Sequence, residues 1–428
     1  MATSEQTVPL SRTLSLAVVQ ASIGIMLVFY SVTVVAYSLP FVSQALFATT
    51  NHIQAALDTL GLVAAGYVAK PLAQAISGSY ADRHGRKPVL IVASLLAAAT
   101  ALALAVLPTV SQIGVLAPVL FVAITAVQAG AAGSEWPLLA AYIGESTVPE
   151  RRAFMTSFAS FMVCLGWLIA IIVPLLLHLG LSEGQYAQWG WRVAFLPAVA
   201  LGLLSAWLRR EMPSSPVYTA LERSGGLSRF PLADLFRHQT GRWLAVMLHV
   251  GMISAAFFLT VSYSVVFVAL ADKFSPTESL AVGMVGLAVL VAGIMGGGTL
   301  ADRFGPRPVS ATGFAAIALL AYPAYGLMAS GTIGLAFAGV ILLALPLALS
   351  AGVYEAWIVS SFRTRYTGAA TTCNGVGIAL FGTPAIWLAS HIAQGRGEVA
   401  PALLLVIAGV VGALSTRLLV PSIHEPLG

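Results

Sequence analysis

The sequence predicts an all-α membrane protein with twelve transmembrane helices, arranged as two pseudo-symmetric bundles of six. Its composition is the first indication: 58% of the residues are hydrophobic, 9% are charged, and the mean hydropathy is +0.91, far above that of a soluble domain. Apolar runs of about 20 residues, the length that crosses a bilayer, follow one another almost without interruption. A charged segment that begins at Gly78 also returns about 220 positions later, at Gly298, with seven of twelve positions identical.

The twelve predicted spans are joined by short polar connections, which makes consecutive helices antiparallel neighbours and leaves no room for a soluble catalytic domain. In the first half of the chain the spans cover approximately residues 15–47, 59–80, 88–107, 113–143, 153–179 and 190–208. In the second half they cover approximately residues 242–271, 277–300, 308–329, 333–358, 366–392 and 399–421.

The two copies of the charged segment lie about half a chain apart, which indicates an internally duplicated membrane protein. The longest polar stretch, residues 209–241, contains several prolines, glycines and arginines and is predicted to be a cytoplasmic linker. It separates an N-terminal six-helix half, residues 1–208, from a C-terminal half, residues 242–428. Two such halves form a complete translocation unit, so we expect a monomer to be functional.

The orientation follows from the lysines and arginines, which are enriched in cytoplasmic loops. With the N terminus inside, all but four of the 21 basic residues fall on the cytoplasmic side; the exceptions are Lys70, Arg192, Lys273 and Arg396. Both termini are therefore predicted to be cytoplasmic. The same loops account for the net charge of +5, so the expected surrounding is the lipid bilayer and no nucleic-acid partner is expected.

Three ionisable side chains are predicted to lie at membrane depth, where each costs about 2.5 to 3.5 kcal/mol unless it is partnered or faces water. Lys70, in the second span, can attract an anionic substrate, pair with Glu135, or extend towards the helix end. Glu135, in the fourth span, can carry a proton or serve as a structural partner of another helix. Glu355, in the tenth span, can carry a proton or close an inner gate by pairing with nearby arginines.

Aromatic residues near these groups can contact a bound solute, although most aromatic residues of a helical bundle pack in its interior or anchor the membrane interface. Tyr30 and Trp136 are the two that we predict to contact the solute. The chain contains no phosphate-binding loop, paired-cysteine metal site or nucleophile motif of the known enzyme types. We therefore expect no catalytic activity, no metal and no cofactor.

The repeated charged segment is predicted to be a turn between two helices that takes part in conformational change. Asp82 and Asp302 can accept hydrogen bonds or pair with arginines, while Gly85 and Gly305 permit a tight turn. Such contacts can join two helices in one state and release them in another, whereas a cluster that only sets membrane topology needs neither aspartate nor glycine. The predicted gate residues are Gly78, Asp82, Arg83, Gly85, Arg86, Lys87, Asp302, Arg303 and Gly305.

The segment from Gly78 to Lys87 resembles the signature loop between helices two and three of the major facilitator superfamily, and the copy at Gly298 falls where that family has its second loop. Nearly the whole chain resembles the metabolite:proton symporter branch, whose members carry proline and betaine, citrate, oxoglutarate or shikimate. The matching segments are Lys70-Pro71-Leu72, Gln128, Gly133-Ser134-Glu135-Trp136, Gly190-Trp191-Arg192, Arg365-Tyr366-Thr367-Gly368-Ala369, Asn374, Phe381-Gly382 and Pro384. Among them, Asn374 is a further substrate-binding candidate.

The resemblance implies a secondary active transporter of the bacterial cytoplasmic (inner) membrane that moves a small carboxylate or zwitterionic metabolite by alternating access, with a proton as the coupling ion. The chain departs from the branch in helix one, where Val28-Phe29-Tyr30-Ser31 replaces a segment with two carboxylates. It also departs at Thr125 and Ile358, where a basic and an acidic residue are usual. Two alternatives therefore stand beside symport: a uniporter or exporter without the usual proton coupling, and a transporter-like sensor that binds solute without moving it.

Overall fold

The computed structural model describes residues 12–47, 69–270, 273–397, 399–425 and 427, and every regular element in them is a helix. This confirms the predicted all-α class for the described part of the chain. The physical reason is that a helix satisfies its backbone hydrogen-bonding groups internally, which the hydrocarbon interior of a bilayer requires.

The described part of the first half contains seven helices of eight residues or more. They are α1 (Arg12–Tyr37), α2 (Leu39–Leu46), α3 (Ala69–His84), α4 (Arg86–Ala105), α5 (Leu116–Glu145), α6 (Arg152–Gly180) and α7 (Leu196–Arg209). Helix α1 packs against α6 and α7, and α5 packs against α3 and α4. The functional side chains of this half lie on α1, α3, α5 and α6.

The linker and the second half are also helical where they are described. The linker contains α8 (Pro216–Arg223) and α9 (Pro231–His238). The second half contains α10 (Thr240–Phe257), α11 (Tyr263–Leu270), α12 (Pro276–Phe304), α13 (Pro306–Met328), α14 (Ile333–Ala351), α15 (Tyr354–Ser361), α16 (Thr367–Ala370), α17 (Thr372–Gly377), α18 (Thr383–Arg396) and α19 (Ala402–Ser415). Two wide π-helical turns, Phe258–Ser262 after α10 and Ile378–Gly382 after α17, interrupt the predicted spans 242–271 and 366–392.

Nine helical segments of the described residues are long and apolar enough to cross a membrane. Two shorter apolar helices, Gln20–Val35 and Ala402–Leu418, precede and follow them in the sequence. The predicted span 59–80 begins outside the described residues, and only its later part is seen, in α3. These segments indicate a multi-pass membrane protein, while the total of twelve spans stays a prediction.

The predicted single span at 333–358 is divided into α14 and α15. At the division Gly352 approaches α12 so closely that a β-carbon there would lie 2.3 Å from the carbonyl oxygen of Ile294. Only glycine permits this approach, because any larger residue would force the two helices apart. The break places Tyr354 and Glu355 in the first turn of a new helix, beside the centre of the bundle.

The linker packs against the charged turn that follows α3. Tyr218, on α8, donates a hydrogen bond from its hydroxyl group to the carbonyl oxygen of Arg83, at 2.9 Å. Burial raises the pKa of the Tyr218 phenol, so the phenol keeps the proton that it donates. Leu235, on α9, is fully buried. The linker is therefore a folded, packed segment.

Buried apolar side chains form three clusters. Two of them contain residues of the first half and its junction with the linker, and the largest contains mainly residues of the second half. The halves meet where α6 packs on α12 and where α3 packs on α16 and α17. Gly78 marks the second contact, since a β-carbon there would lie 2.1 Å from the carbonyl oxygen of Gly368.

Candidate functional site

A central cavity lies between the two halves of the bundle. The volume open to the centres of water molecules is about 110 Å³, which holds several waters or the body of a small solute. Its walls come from α1, α3, α5 and α6 in one half and from α10, α12, α14, α15 and the two π-helical turns in the other. The lining residues are Phe29, Val32, Lys70, Trp136, Ser160, Cys164, Trp167, Ile253, Ser254, Phe257, Phe258, Leu290, Ile294, Leu347, Ala351, Tyr354 and Ile378.

Lys70 is the charged side chain of this lining. It lies in the first turn of α3 and is 8% exposed. Its aliphatic stem runs along Gly133 of α5, where a β-carbon would lie 2.5 Å from Cγ of the lysine. Within the described residues its ammonium group has no hydrogen bond and no ion pair. An ammonium group held in this way is available to an anion that enters the cavity.

The aromatic residues of the lining contact one another edge to face. Trp136 makes such contacts with Phe29, Trp167 and Tyr354, at centroid distances of 5.3, 6.3 and 5.8 Å. Trp167 also packs against Phe257 of the second half, at 4.7 Å. The cavity wall is therefore a connected aromatic network that crosses from one half to the other.

Glu135 pairs with Arg209, which corrects the alternative that it pairs with Lys70. The Arg209 Nη2 atom lies 2.6 Å from Oε1 of Glu135, and both side chains are fully buried. Arg209 also donates hydrogen bonds to the carbonyl oxygens of Ala21 and Leu90 and to Oγ of Ser94, at 2.6 to 2.8 Å. Glu135 thus holds together the helices of the first half, and its carboxylate is not part of the cavity lining.

Arg209 is the first residue of the predicted cytoplasmic linker. Its five-donor guanidinium group instead reaches into the first half from the last residue of α7. The signal that identifies it is weak, because arginines at helix ends usually extend into water. A buried carboxylate such as Glu135 needs a cationic partner, however, and this requirement is the one sequence signal that points to an arginine such as Arg209.

Glu355 and Asn374 are buried without an ion pair in the described residues. Among these residues, neither carboxylate oxygen of Glu355 and neither polar atom of the Asn374 amide group makes a hydrogen bond within 3.5 Å. The nearest polar group recorded for the Glu355 carboxylate is the hydroxyl group of Tyr354, which also lies beside Ser160. The inner-gate pair of Glu355 with an arginine is not formed in the described residues.

The two predicted aromatic contacts differ in position. Trp136 lines the cavity, and its indole Nε1 has no hydrogen-bond partner in the described residues. Tyr30 is not among the lining residues. Its hydroxyl group donates to the carbonyl oxygen of Ala194, at 2.5 Å, within the first half.

The charged turn after α3 joins the two halves through Asp82. Its Oδ1 and Oδ2 atoms accept hydrogen bonds from the backbone N–H groups of Gly368 and Ala369 of α16, at 2.7 and 2.8 Å. These N–H groups belong to the first turn of a helix, where they lack partners within the helix. The carboxylate of the first half therefore caps a helix of the second half.

Basic residues of the same turn hold it in place. Arg86 contacts Glu145 at 2.8 Å and Asp82 at 3.3 Å, and it donates to the carbonyl oxygen of Thr364 in the second half, at 3.1 Å. Lys87 donates to the carbonyl oxygen of Arg210, at 2.6 Å. The guanidinium carbon of Arg83 lies 5.9 Å from the ring centroid of Phe230.

The second copy of the turn makes the reciprocal contact. Asp302 accepts hydrogen bonds from the backbone N–H groups of Ala153 and Phe154, both at 2.9 Å. These residues begin α6, so a carboxylate of the second half caps a helix of the first. Gly85 turns the chain after α3 and Gly305 turns it after α12. Their φ angles are 87° and 91°, in the left-handed region that favours glycine. Arg303 lies over the ring of Phe304, at 5.2 Å.

The segment after α19 crosses the same end of the bundle. Arg152, in the first turn of α6, donates to the carbonyl oxygens of Ile423 and Glu425, and the Trp357 indole donates to that of Val420 at 3.2 Å. His424 lies 3.5 Å from Asp302. Nothing in the sequence pattern indicated these contacts, because they join positions that are far apart in the chain.

A bundle of apolar helices with a central, solute-sized cavity between its halves defines a membrane transporter. The family model of the Major Facilitator Superfamily matches residues 21–382. The chain therefore belongs to the major facilitator superfamily, which confirms the resemblance inferred from the sequence.

Known relatives of the chain transport solutes. The proline/betaine transporter of Escherichia coli (strain K12) is 25% identical over 428 residues, covering 96% of this chain and 84% of the relative. The glycine betaine/proline/ectoine/pipecolic acid transporter OusA of Dickeya dadantii is 25% identical over 410 residues, covering 92% and 80%. The solved structure of the proton:xylose symporter XylE has the same fold, with a TM-score of 0.74, 19% identity and coverage of 93% and 94%. The chain is a solute transporter of this superfamily.

Proposed function

We propose that this chain is a secondary active transporter that moves a small organic solute, a carboxylate or a zwitterion, across the bacterial cytoplasmic membrane by alternating access. The proposal includes twelve spans with both termini in the cytoplasm and a proton as the coupling ion. It also includes an N-terminal half at residues 1–208, a linker at 209–241 and a C-terminal half at 242–428, which work together as a monomer.

The observation that carries the proposal is the central cavity together with Lys70, whose ammonium group has no partner in the described residues. Helices from both parts of the chain form the walls, so a rocking motion of one half against the other opens the cavity to one side of the membrane at a time. The ammonium group of Lys70 supplies a contact for a carboxylate group. The relatives' names include proline, glycine betaine and ectoine, which are small solutes that carry a carboxylate.

The gate residues supply the second element of alternating access. Asp82 and Asp302 each bind backbone N–H groups of the opposite half, so both sets of hydrogen bonds must break before the halves separate at that end. We propose that this end faces the cytoplasm and that these contacts hold the transporter closed there. The solute then shifts the equilibrium between the closed and the open arrangement of this end, because its affinity for the two arrangements differs.

Two carboxylates are the proposed proton carriers, and their surroundings distinguish them. Glu135 is held in an ion pair, so its protonation leaves the Arg209 charge without its counterion in a buried place. Glu355 has no ion pair in the described residues and interacts with the uncharged Tyr354 phenol, so it can take up or release a proton without breaking an ion pair. The better candidate is therefore Glu355.

Transport by the purified full-length protein in proteoliposomes tests the proposal. The labelled solutes are proline, glycine betaine and cyclopentanecarboxylate, the membrane potential is held at zero, and the uptake by protein-free liposomes, which includes passive entry of the neutral acid, is subtracted. An inward pH gradient of one unit is expected to drive about tenfold accumulation for one coupled proton. Glu355→Gln is expected to keep counterflow and lose accumulation. Glu135→Gln makes the same change from carboxyl to carboxamide at the ion-paired position and serves as the matched comparison.

The alternatives give different results in the same assay. Counterflow of a solute without pH-driven accumulation identifies a uniporter. Binding without counterflow identifies a solute sensor and contradicts the proposed transport. Full accumulation by Glu355→Gln together with its loss in Glu135→Gln assigns the proton to Glu135.

A further inference from the structure

The polar groups of the cavity lining show a strong imbalance between donors and acceptors. Lys70 Nζ and Trp136 Nε1 are donor-only groups, and neither has a partner in the described residues. The hydroxyl group of Tyr354 lies beside both Ser160 and the Glu355 carboxylate, and the hydroxyl groups of Ser160 and Tyr354 can each donate or accept. Among the described lining residues no side chain is a carboxylate, which is acceptor-only, or a carboxamide, which both donates and accepts.

This imbalance has a direct consequence for the charge of a solute. A carboxylate is acceptor-only, so it complements the lysine and the indole. The ammonium group of a zwitterion is a donor that must leave water, and among the described lining residues it finds no anion. The Glu355 carboxylate interacts with the hydroxyl group of Tyr354, but the Glu355 side chain does not belong to the lining.

The aromatic wall does not replace the missing anion. A cation binds an aromatic residue over the face of its ring, but the rings of Phe29, Trp167 and Tyr354 meet Trp136 at interplanar angles of 83°, 89° and 88°. In such an edge-to-face pair, the edge of one ring covers part of the face of the other. These contacts therefore take up only part of the ring surface, but a cation over a remaining ring face gains less than the burial of its charge costs.

We infer that the cavity selects an apolar organic monocarboxylate that lacks an ammonium group. This inference rests on the proposed function and narrows its solute class. The Lys70 ammonium group and the Trp136 indole bind the carboxylate, and the aromatic and aliphatic wall binds the hydrocarbon body. A second carboxylate is disfavoured as well, because Lys70 is the only cation among the described lining residues and a further buried charge has no partner.

Matched pairs of ligands test the inference directly. Cyclopentanecarboxylate is proline with its ring nitrogen replaced by carbon, and the anion of tert-butylacetic acid is glycine betaine with its quaternary nitrogen replaced by carbon. Each pair keeps its shape and carboxylate and differs in the positive charge. Binding to the purified full-length protein is measured by tryptophan fluorescence, since Trp136 and Trp167 line the cavity, and by calorimetry.

The expected result is that each carbon analogue binds about tenfold or more tightly than its zwitterion. Lys70→Met keeps the length of the stem that packs on Gly133 and removes the charge, so it is expected to weaken both carbon analogues by about tenfold or more. Lys273→Met is the matched control, because Lys273 is exposed and donates to the carbonyl oxygen of Ala329 away from the cavity. Equal thermal unfolding midpoints of the two variants show that Lys70→Met is folded.

Three binding results overturn the inference. They are binding of proline or glycine betaine as tightly as the carbon analogue, no binding of either analogue, and unchanged binding of the analogues by a folded Lys70→Met variant. Counterflow of the zwitterions together with weak binding of the analogues overturns this inference and leaves the proposed transport intact. Tight binding of the analogues without counterflow of any solute contradicts the transport function and leaves the assigned site intact.

Discussion

Replacement of Arg209 by methionine is expected to lower the free energy of unfolding by about 3 to 5 kcal/mol, because it leaves the Glu135 carboxylate buried without its counterion. The pair is fully buried, with 2.6 Å between Arg209 Nη2 and Glu135 Oε1. The same substitution removes the donors of the hydrogen bonds to Ala21, Leu90 and Ser94. Unfolding of the purified protein in mixed micelles of SDS and dodecyl maltoside measures the change.

The neighbouring residue provides the control for this prediction. Arg210 is exposed and contributes its backbone carbonyl oxygen, not its side chain, to the contact with Lys87. Arg210→Met is therefore expected to change the free energy of unfolding by less than about 0.5 kcal/mol. Equal losses of stability in the two variants would contradict a structural role for the Arg209 guanidinium group.

The double variant Glu135→Leu/Arg209→Met separates the ion pair from general damage. When both charges are removed, no uncompensated charge remains in the interior, and most of the lost stability is expected to return. The coupling between the two positions is expected to be at least about 2 kcal/mol. Additive losses in the double variant would show that the two charges do not depend on one another.

Replacement of Asp82 by asparagine is expected to shift the conformational equilibrium away from the arrangement described here. Asparagine keeps the size of the side chain, but it has one acceptor oxygen for the two N–H groups of Gly368 and Ala369 and no charge. Loss of a hydrogen bond to a charged group costs about 1.5 to 3 kcal/mol. A loss of this size changes the ratio of the two conformations by roughly tenfold to a hundredfold.

A native cysteine reports this shift. Cys164 lines the central cavity, while the other cysteine, Cys373, is fully buried and can be replaced by alanine. In inside-out membrane vesicles, Asp82→Asn is expected to raise the rate at which an impermeant maleimide labels Cys164 by about tenfold or more. An unchanged labelling rate would show that the Asp82 contacts do not control access to the cavity.

Replacement of Asp302 by asparagine, in the second copy of the charged turn, is expected to have a smaller effect on Cys164 labelling. Asp302 is 11% exposed, whereas Asp82 is fully buried, and hydrogen bonds near water contribute less than buried ones. The segment after α19 also holds the start of α6 through a hydrogen bond of Arg152 that Asp302 does not accept. Asp302→Asn is therefore expected to raise Cys164 labelling less than Asp82→Asn does.

Several features of the protein follow directly from local sequence. The apolar runs and scarcity of charge indicate membrane helices, because burial in hydrocarbon depends on composition. The repeated segments at Gly78 and Gly298 identify the superfamily, which the family match over residues 21–382 confirms. The sequence also draws attention to Lys70 and Trp136, since ionisable and polar aromatic groups are unusual within spans, and both line the cavity.

The partners of these groups do not follow from local sequence, because each depends on how distant helices pack. Glu135 is 74 positions from Arg209, and Asp82 is 286 positions from Gly368. The spacing of residues along one helix cannot indicate which other helix faces them, and Lys70 was an equally reasonable partner for Glu135. Hydrophobic pattern and charge thus determine that the chain enters the membrane and folds as helices, whereas the packing of those helices determines which charges are neutralised and which remain available to a solute.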